Sequence, residues 1–422
     1  MKKFEWAVIG SGIAGIVTSE ILTREGHSTV LIEKNEQLAA ETTRDFHEWI
    51  HTGSLYTLIP DNLLTLKYLL GAIDDLLEYY SSFEKMNISP TENGLKINEC
   101  QDKWFENNNI HFKFRIKNRK MVIPWMLGIA RAIYLIDRIK EHDWLRRRGG
   151  IVDPFKLRFK EILNIYRELF HHKETFYDYT TPDFTTYSRN LLRDLLTNAI
   201  KNELYISNMN EFLGFEKKKD DIIVKCGKES FIVNNIALCI GENISKFVES
   251  KVKKSYAPMA VVKDIDPNFY SFVELDYFPQ NCINIIKKNN GVGLIGGISF
   301  SNKSECEKYI EEVIEKHRKY NPNLKVMHKY IGIKSEISVK NHPRNYLYHI
   351  LNLENNVWGI IPGKFTLGFS IAPEFYRRVY KRNPKKHFET LNSHGNNIDL
   401  ISNTVWYDVV NKLIKKELTL WE

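Results

Sequence analysis

Cysteine is scarce and scattered. The five in 422 residues, Cys100, Cys226, Cys239, Cys282 and Cys306, are odd in number and form no CxxC pair. That pattern excludes a zinc ribbon or a disulfide framework and suits a reducing compartment. Long apolar runs are missing as well. The nearest approach, Met121 to Ile136, is short, carries Arg131 and leads into Arg146, Arg147 and Arg148, so it does not read as a bilayer span. The first strand begins almost at residue 1 with no signal-like region before it, and a cytoplasmic location is expected. There is no internal repeat, no low-complexity stretch and no RNP-like or zinc-finger pattern, so nucleic acid is not an expected partner. His47 and His51 lack carboxylates at ligand spacing, and no metal site is expected.

What is present bounds the rest. The chain is long enough for two or three domains with an ample core. Its formal charge of +8 favours anionic substrates or surfaces without choosing among them. For residues 121–148 two readings stay open: a peripheral contact with the inner face of a membrane, or a helix that covers the protein's own core. The basic run Arg377 to His387 reads most simply as a solvated helix end.

The strongest local signal lies in the first fifteen residues. Phe4 to Ile9 is a short buried strand, and GSGIAG (Gly10 to Gly15) follows at once. Gly10 permits the sharp turn, Gly12 lets the backbone approach a pyrophosphate, and Gly15 lets the next helix pack close to the sheet. The helix's first amides, at Ile13 and Ala14, then face phosphate charge. Ile16 to Arg24 suits that helix, Gly26 ends it, and Ser28 to Ile32 is a second strand closing on Glu33 and Lys34. An acidic residue about twenty positions on from the turn suits the ribose hydroxyls of an adenosine.

Further along, Leu63 to Phe83 and Ser188 to Lys201 read as helices. Tyr205–Ser207, Phe212–Lys217, Ile222–Cys226 and Phe231–Val233 read as an antiparallel meander. Asn235 to Ile240, ending at Gly241, reads as a late strand that returns to the dinucleotide fold. Gly291 to Phe300 is strand-like, and Ser304 to Tyr320 is a helix with a serine cap.

A family resemblance becomes specific at LAAETTRDFHEWIHTGSLY (Leu38 to Tyr56). Together with the glycine turn it resembles the D-amino-acid-oxidase-like flavoproteins, most closely the FAD-dependent glycerol-3-phosphate dehydrogenases. Their stretch reads along the lines of LACATSS, then IHGGLRY, and Ile50, His51, Gly53 and Tyr56 match it. Pro124, Trp125, Met126 and Asp137 align with a second block, and FYDYTTPD (Phe176 to Asp183) resembles the next in position and character. YIGIKSE (Tyr330 to Glu336), HPRNY (His342 to Tyr346) and IIPGKFT (Ile360 to Thr366) are similar to three later ones.

The resemblance implies an α/β protein, α+β overall, with a Rossmann-like FAD-binding domain assembled from residues 1–90, 176–252 and 330–375. It implies an antiparallel-sheet substrate domain from 91–175 and 253–329, and a helical tail over 376–422. FAD would lie against Gly10, Gly12, Ile13, Ala14, Gly15, Glu33, Lys34 and Gly241, with Thr42 and Thr43 near the pyrophosphate. His51 and Gly53 would face one edge of the flavin, and Gly363, Lys364 and Thr366 the other. His51, Tyr56, Lys334 and Arg344 would be the catalytic set, and Lys334, Arg344 and Lys364 would meet a small anionic substrate. His51 reads either as a general base or as a packing residue beside the ring.

Two departures bear on the substrate. The family's arginine in IHGGLRY is Leu55 here, and the arginine of its YAGVRP block is Lys334. Lysine keeps the charge and loses the bidentate fork. The implied activity is oxidation of a CH–OH group, or secondly a CH–NH group, by hydride transfer to flavin, with reoxidation by a quinone, another acceptor or oxygen. Reductive or non-redox flavin chemistry on a sugar or nucleotide-linked substrate is an alternative. A degenerate family member that only binds is another.

Overall fold

The computed structural model describes residues 1–59, 61–117, 122–146, 156–219, 221–248, 252–276, 282–288, 291–337, 346–389 and 400–418. Strand β1 (Lys3–Ile9) is followed by helix α1 (Ile13–Arg24) and strand β2 (Thr29–Ile32). β1 and β2 are parallel, and α1 is buried along its whole length. A strand covered on both faces reads as a continuous apolar run, which is why β1 shows no alternation. Trp6 and Val8 face the helices, while Ala7 and Ile9 face the opposite side.

The parallel part of this sheet gathers segments far apart in sequence. Tyr205–Ser207, β2, β1, Phe231–Leu238 and Val357–Ile361 lie side by side, all parallel. Helices Ser188–Lys201 and Gly368–Tyr380 pack on α1 over one face. Phe212–Lys218 and Asp221–Cys226 form a hairpin that joins the first half of Phe231–Leu238. The meander expected from the sequence is therefore three strands. Tyr205–Ser207 is instead the parallel edge beside β2, and Phe231–Val233 and Asn235–Leu238 are one strand. Short extended pieces carry no sign of their partner's direction, so periodicity could not separate these cases.

The second sheet runs in the order Lys325–Ile337, Val252–Lys263, Gly293–Gly297, Ile283–Lys287, Phe272–Leu275, His111–Lys117, Glu174–Thr180. It is antiparallel except between Phe272–Leu275 and His111–Lys117. In His111–Lys117 the alternate residues Phe112, Phe114 and Ile116 point inward. Helix Val122–Lys140 covers them, turning Trp125, Met126, Ile129, Ile133 and Ile136 to the core, and Phe159–His171 packs beside it. The divisions expected near 176, 252 and 330 thus fall inside strands of this second sheet. Helix Lys303–Tyr320 is capped by Asn302, whose side chain accepts from the Ser304 amide, and not by the serine.

A separate three-stranded sheet pairs Trp49–Ile50 and Phe105–Glu106 with Phe184–Thr186. The tail helix Val405–Leu418 sets Trp406, Val409 and Val410 on Val261, Val292 and Leu294. No helix of the described residues is long and apolar enough to cross a membrane.

Candidate active site

The parallel strands end in a cavity of about 460 Å³, lined by Ile9, Ile32, Cys239 and Ile361 at their C-terminal tips. Ligands of open parallel sheets bind at this end, where chain reversals leave a crevice. Gly10 leaves β1 at φ +93°, and a Cβ there would stand 2.6 Å from the Cys239 carbonyl oxygen. A Cβ on Gly15 would stand 1.8 Å from the Gly10 carbonyl oxygen. Only glycine lets α1 rest on the turn so closely. The N-terminus of α1 has no acidic residue in its first turn, and its Ile13 amide donates to Thr43 Oγ1 at 3.1 Å. Its uncompensated positive end and the small residues around it form a cradle for a pyrophosphate. At the end of β2 the Glu33 carboxylate accepts from the Ser11 amide (3.0 Å), Ser11 Oγ (2.6 Å), the Asn35 amide (2.9 Å) and Asn35 Nδ2 (2.8 Å). It therefore also ties the glycine turn to the chain after β2.

The same cavity reaches His51, Lys334, Gly363 and Lys364. His51 follows Trp49–Ile50, which pairs with Phe184–Thr186 and so carries Asp183 beneath it. Asp183 is fully buried and organises the turn. Its Oδ1 accepts from the Thr52 amide (3.0 Å), the Thr52 hydroxyl and Ser54 Oγ (3.1 Å), and its Oδ2 accepts from Trp49 Nε1 (3.0 Å). His51 Nδ1 lies 3.7 Å from Asp183 Oδ2, beyond hydrogen-bond reach. The His51 ring packs against Trp49, with centroids 4.3 Å apart, and meets the Tyr56 ring edge-on at 5.6 Å. Burial pulls its pKa below the ordinary histidine value; Asp183 opposes this, while Lys364 and Lys334 add to it. The ring is consequently neutral near pH 7.

Lys34, Lys246, Lys334 and Lys364 line the cavity, and the last two stand at its His51 end. Lys334, on the strand Lys325–Ile337, places its ammonium 4.5 Å from the centre of the Phe46 ring. Lys364 lies beyond the turn at Gly363, whose φ is +66° and where a Cβ would come within 2.5 Å of the Leu347 carbonyl oxygen. Its ammonium stands 4.8 Å from the Tyr56 ring centre and 4.6 Å from that of Tyr346.

Of the residues expected at the site, Gly10, Gly12, Ile13, Ala14, Glu33, Lys34, Thr42, Thr43, His51, Gly241, Lys334, Gly363 and Lys364 line this one cavity. Gly15, Gly53, Tyr56 and Thr366 do not. Gly15 serves packing. Gly53, at φ +113°, turns the chain against Leu66, where a Cβ would stand 2.1 Å from Leu66 Cδ1. Tyr56 is buried beside His51, and Thr366 Oγ1 accepts from the His51 amide at 3.0 Å. The latter two support His51 from behind. Arg344 lies outside the described residues. Leu55 is packed among apolar neighbours of two clusters and is absent from the cavity wall.

Sequence reasoning missed three participants. Asp183 is one, although it ends the FYDYTTPD block. Glu48 is another: at φ +57° and buried, it accepts from the Ser188 amide and hydroxyl, from Lys288 Nζ at 2.7 Å and from Trp406 Nε1 at 2.8 Å. His47 is the third. It lines the cavity, its Nε2 is buried with no hydrogen-bond partner among the described residues, and it abuts Gly296, where a Cβ would meet its ring at 2.6 Å. Burial, then Lys334, Lys288 and His51, push its pKa down to about 3.

The fold is shared with solved structures of similar shape. Glycine oxidase from Geobacillus kaustophilus superposes with a TM-score of 0.63 at 11% identity, over 94% of this chain and 100% of that one. The FAD-bound L-α-glycerophosphate oxidase from Mycoplasma pneumoniae gives 0.62 at 14% identity, over 96% and 100%. L-proline dehydrogenase from P. horikoshii gives 0.61 at 14% identity, over 91% and 95%. No curated protein matches the chain in sequence. The family model of FAD dependent oxidoreductases matches residues 5–333. With a glycine cradle and an open helix end at the strand tips, the chain belongs to the FAD-dependent oxidoreductases, and FAD is its cofactor.

Proposed function

We propose that the chain oxidises a CH–OH group of a small anionic substrate, with a CH–NH group as the second choice. The observation that carries this reading is that neutral His51 and the ammonium groups of Lys334 and Lys364 line the same cavity as the glycine turn. When bound, FAD supplies the acceptor for the hydride. The protein's own groups do the rest. With its proton on Nδ1, toward Asp183, His51 accepts the hydroxyl proton at Nε2. Lys334 and Lys364 hold a carboxylate or phosphate as point charges, since Leu55 provides no planar fork. Phe46, Trp49 and Phe365 on the cavity wall keep the reacting carbon dry.

The IHTGSLY resemblance makes a glycerol-3-phosphate-like compound the first to test, and Leu55 in place of the family's arginine points to a changed substrate. An amino acid is the second choice, because glycine oxidase and L-proline dehydrogenase have the same shape. The test is anaerobic bleaching of the purified flavoprotein by polyol phosphates, 2-hydroxy acids and amino acids in turn. Bleaching by a hydroxy compound supports the first reading, and bleaching by amino acids alone supports the second. A protein that stays yellow with all of them, yet turns over a sugar or nucleotide-linked compound after chemical reduction, would overturn both.

A further inference from the structure

The helix Phe159–His171 carries the most conspicuous apolar surface of the described residues. Its inner side is anchored: Ile165 is in the core, and the buried Glu161 carboxylate accepts from the Tyr177 hydroxyl. Its outer side exposes Phe159 by 66%, Leu163 by 46%, Tyr166 by 61% and Phe170 by 79%. The spacing of four, three and four residues puts these side chains on one stripe of the helix. Leu157 and, on the neighbouring helix, Ile123 and Leu127 are exposed too. A stripe of large apolar groups left in water marks an interaction surface.

Charge decides what it meets. Residues 156–173 carry five cationic side chains, Lys156, Arg158, Lys160, Arg167 and Lys173, against two carboxylates, one of them the inward Glu161. Arg158 pairs with Asp137; none of the described ion pairs engages the other four cations, and all four are exposed. Two-fold association of a second copy through this stripe would set those like charges against themselves, because an isologous interface presents the same patch twice. An anionic lipid surface instead gains from each cation and takes the apolar stripe into its headgroup boundary. A helix of thirteen residues, about 20 Å long, lies flat there. We propose that Phe159–His171 docks this protein on anionic phospholipid membranes. The helix Val122–Lys140, for which the sequence left a membrane contact and a core-covering role both open, spends most of its apolar residues on the core and contributes at most Ile123 and Leu127.

The test is flotation of the flavin-loaded protein with vesicles of phosphatidylcholine mixed with phosphatidylglycerol, and with vesicles of phosphatidylcholine alone. The wild type is expected to float with the mixed vesicles and to be released by salt. Phe170→Glu is expected to abolish flotation, and Lys160→Gln with Arg167→Gln to weaken partitioning on the order of tenfold. Both variants change solvent-facing groups, and retained flavin absorbance and an unchanged thermal transition verify their folding. A wild type that stays at the bottom of the gradient would overturn the proposal, as would variants that float like the wild type. A wild type that ignores vesicles but forms a dimer that Phe170→Glu breaks would assign the stripe to a second copy instead.

Discussion

Asp183 Oδ1 holds Thr52 twice, through its amide at 3.0 Å and through its hydroxyl, while Oδ2 takes the indole of Trp49. His51, which lies between them in the chain, is thus fixed in place without being hydrogen-bonded to the carboxylate. Asp183→Ala strands the Thr52 amide and the Trp49 indole in a dry interior. Each stranded donor costs about 1–3 kcal/mol. Urea unfolding is expected to report a loss of at least about 2 kcal/mol, with flavin retained less tightly.

Gly15 tests the glycine cradle separately from chemistry. Gly15→Ala would place a methyl group 1.8 Å from the Gly10 carbonyl oxygen, a backbone atom of the turn itself that cannot swing aside as a side chain would. The variant is expected to express without flavin absorbance or not to fold. Gly71→Ala, whose Cβ meets nothing within 4 Å, is the control and is expected to be close to neutral.

Lys288 and Glu48 form a buried pair, both side chains nearly inaccessible. Removing one partner of such a pair costs about 3–5 kcal/mol, while replacing both by apolar groups costs much less. Lys288→Met is therefore expected to be more harmful than Lys288→Met with Glu48→Leu. A double-mutant cycle on thermal unfolding measures the difference. Glu48 sits at φ +57° and bonds Ser188 and Trp406 too, so some loss should persist in the double variant.

Acid should destabilise the fold through buried histidines. His47 and His317 have pKa values pushed down to about 3 by burial, against an ordinary value of 6.5. Between pH 6.5 and 3 the unfolded chain binds protons that the folded one refuses, so stability falls as pH falls. The slope is about 1.4 kcal/mol per pH unit for each site. His317, packed on Phe272, is the cleaner probe. His317→Phe is expected to flatten the dependence of unfolding free energy on pH by one such contribution, with no change above pH 7.

His51→Asn separates base catalysis from packing. As a base, His51 contributes roughly 10²–10⁴-fold to the reductive half-reaction, and its lowered pKa puts the acid limb of kcat/KM below pH 6.5. Stopped-flow reduction of the flavin should slow by that amount, with the limb lost and FAD still bound. A change under tenfold with an unaltered pH profile would assign His51 to packing.

How much was legible follows the range of the interactions. The turn at Gly10, the helix that leans on Gly15, and Glu33 at the end of β2 are set by glycine sterics and short-range spacing, and all could be read directly. The motif blocks placed His51, Lys334 and Lys364 at one site although they are far apart in the chain. The role of Asp183 was not legible, because it depends on which strand Trp49–Ile50 pairs with. Nor was that of Glu48, whose partners come from residues 188, 288 and 406. The same limit explains Tyr205–Ser207, read as part of a meander and found as a parallel edge. It explains the two basic helices as well, since periodicity reveals that a helix has an apolar face but not whether a core already covers it.

The sequence by itself determined the dinucleotide cradle, because it depends on the type of residue at locally defined positions. Only the tertiary structure decided that Asp183 and Thr366 hold His51 while Tyr56 backs it, and that the apolar face left in water belongs to Phe159–His171. Those outcomes rest on long-range strand pairing and on which surfaces compete for burial, and neither is encoded in any short stretch of chain.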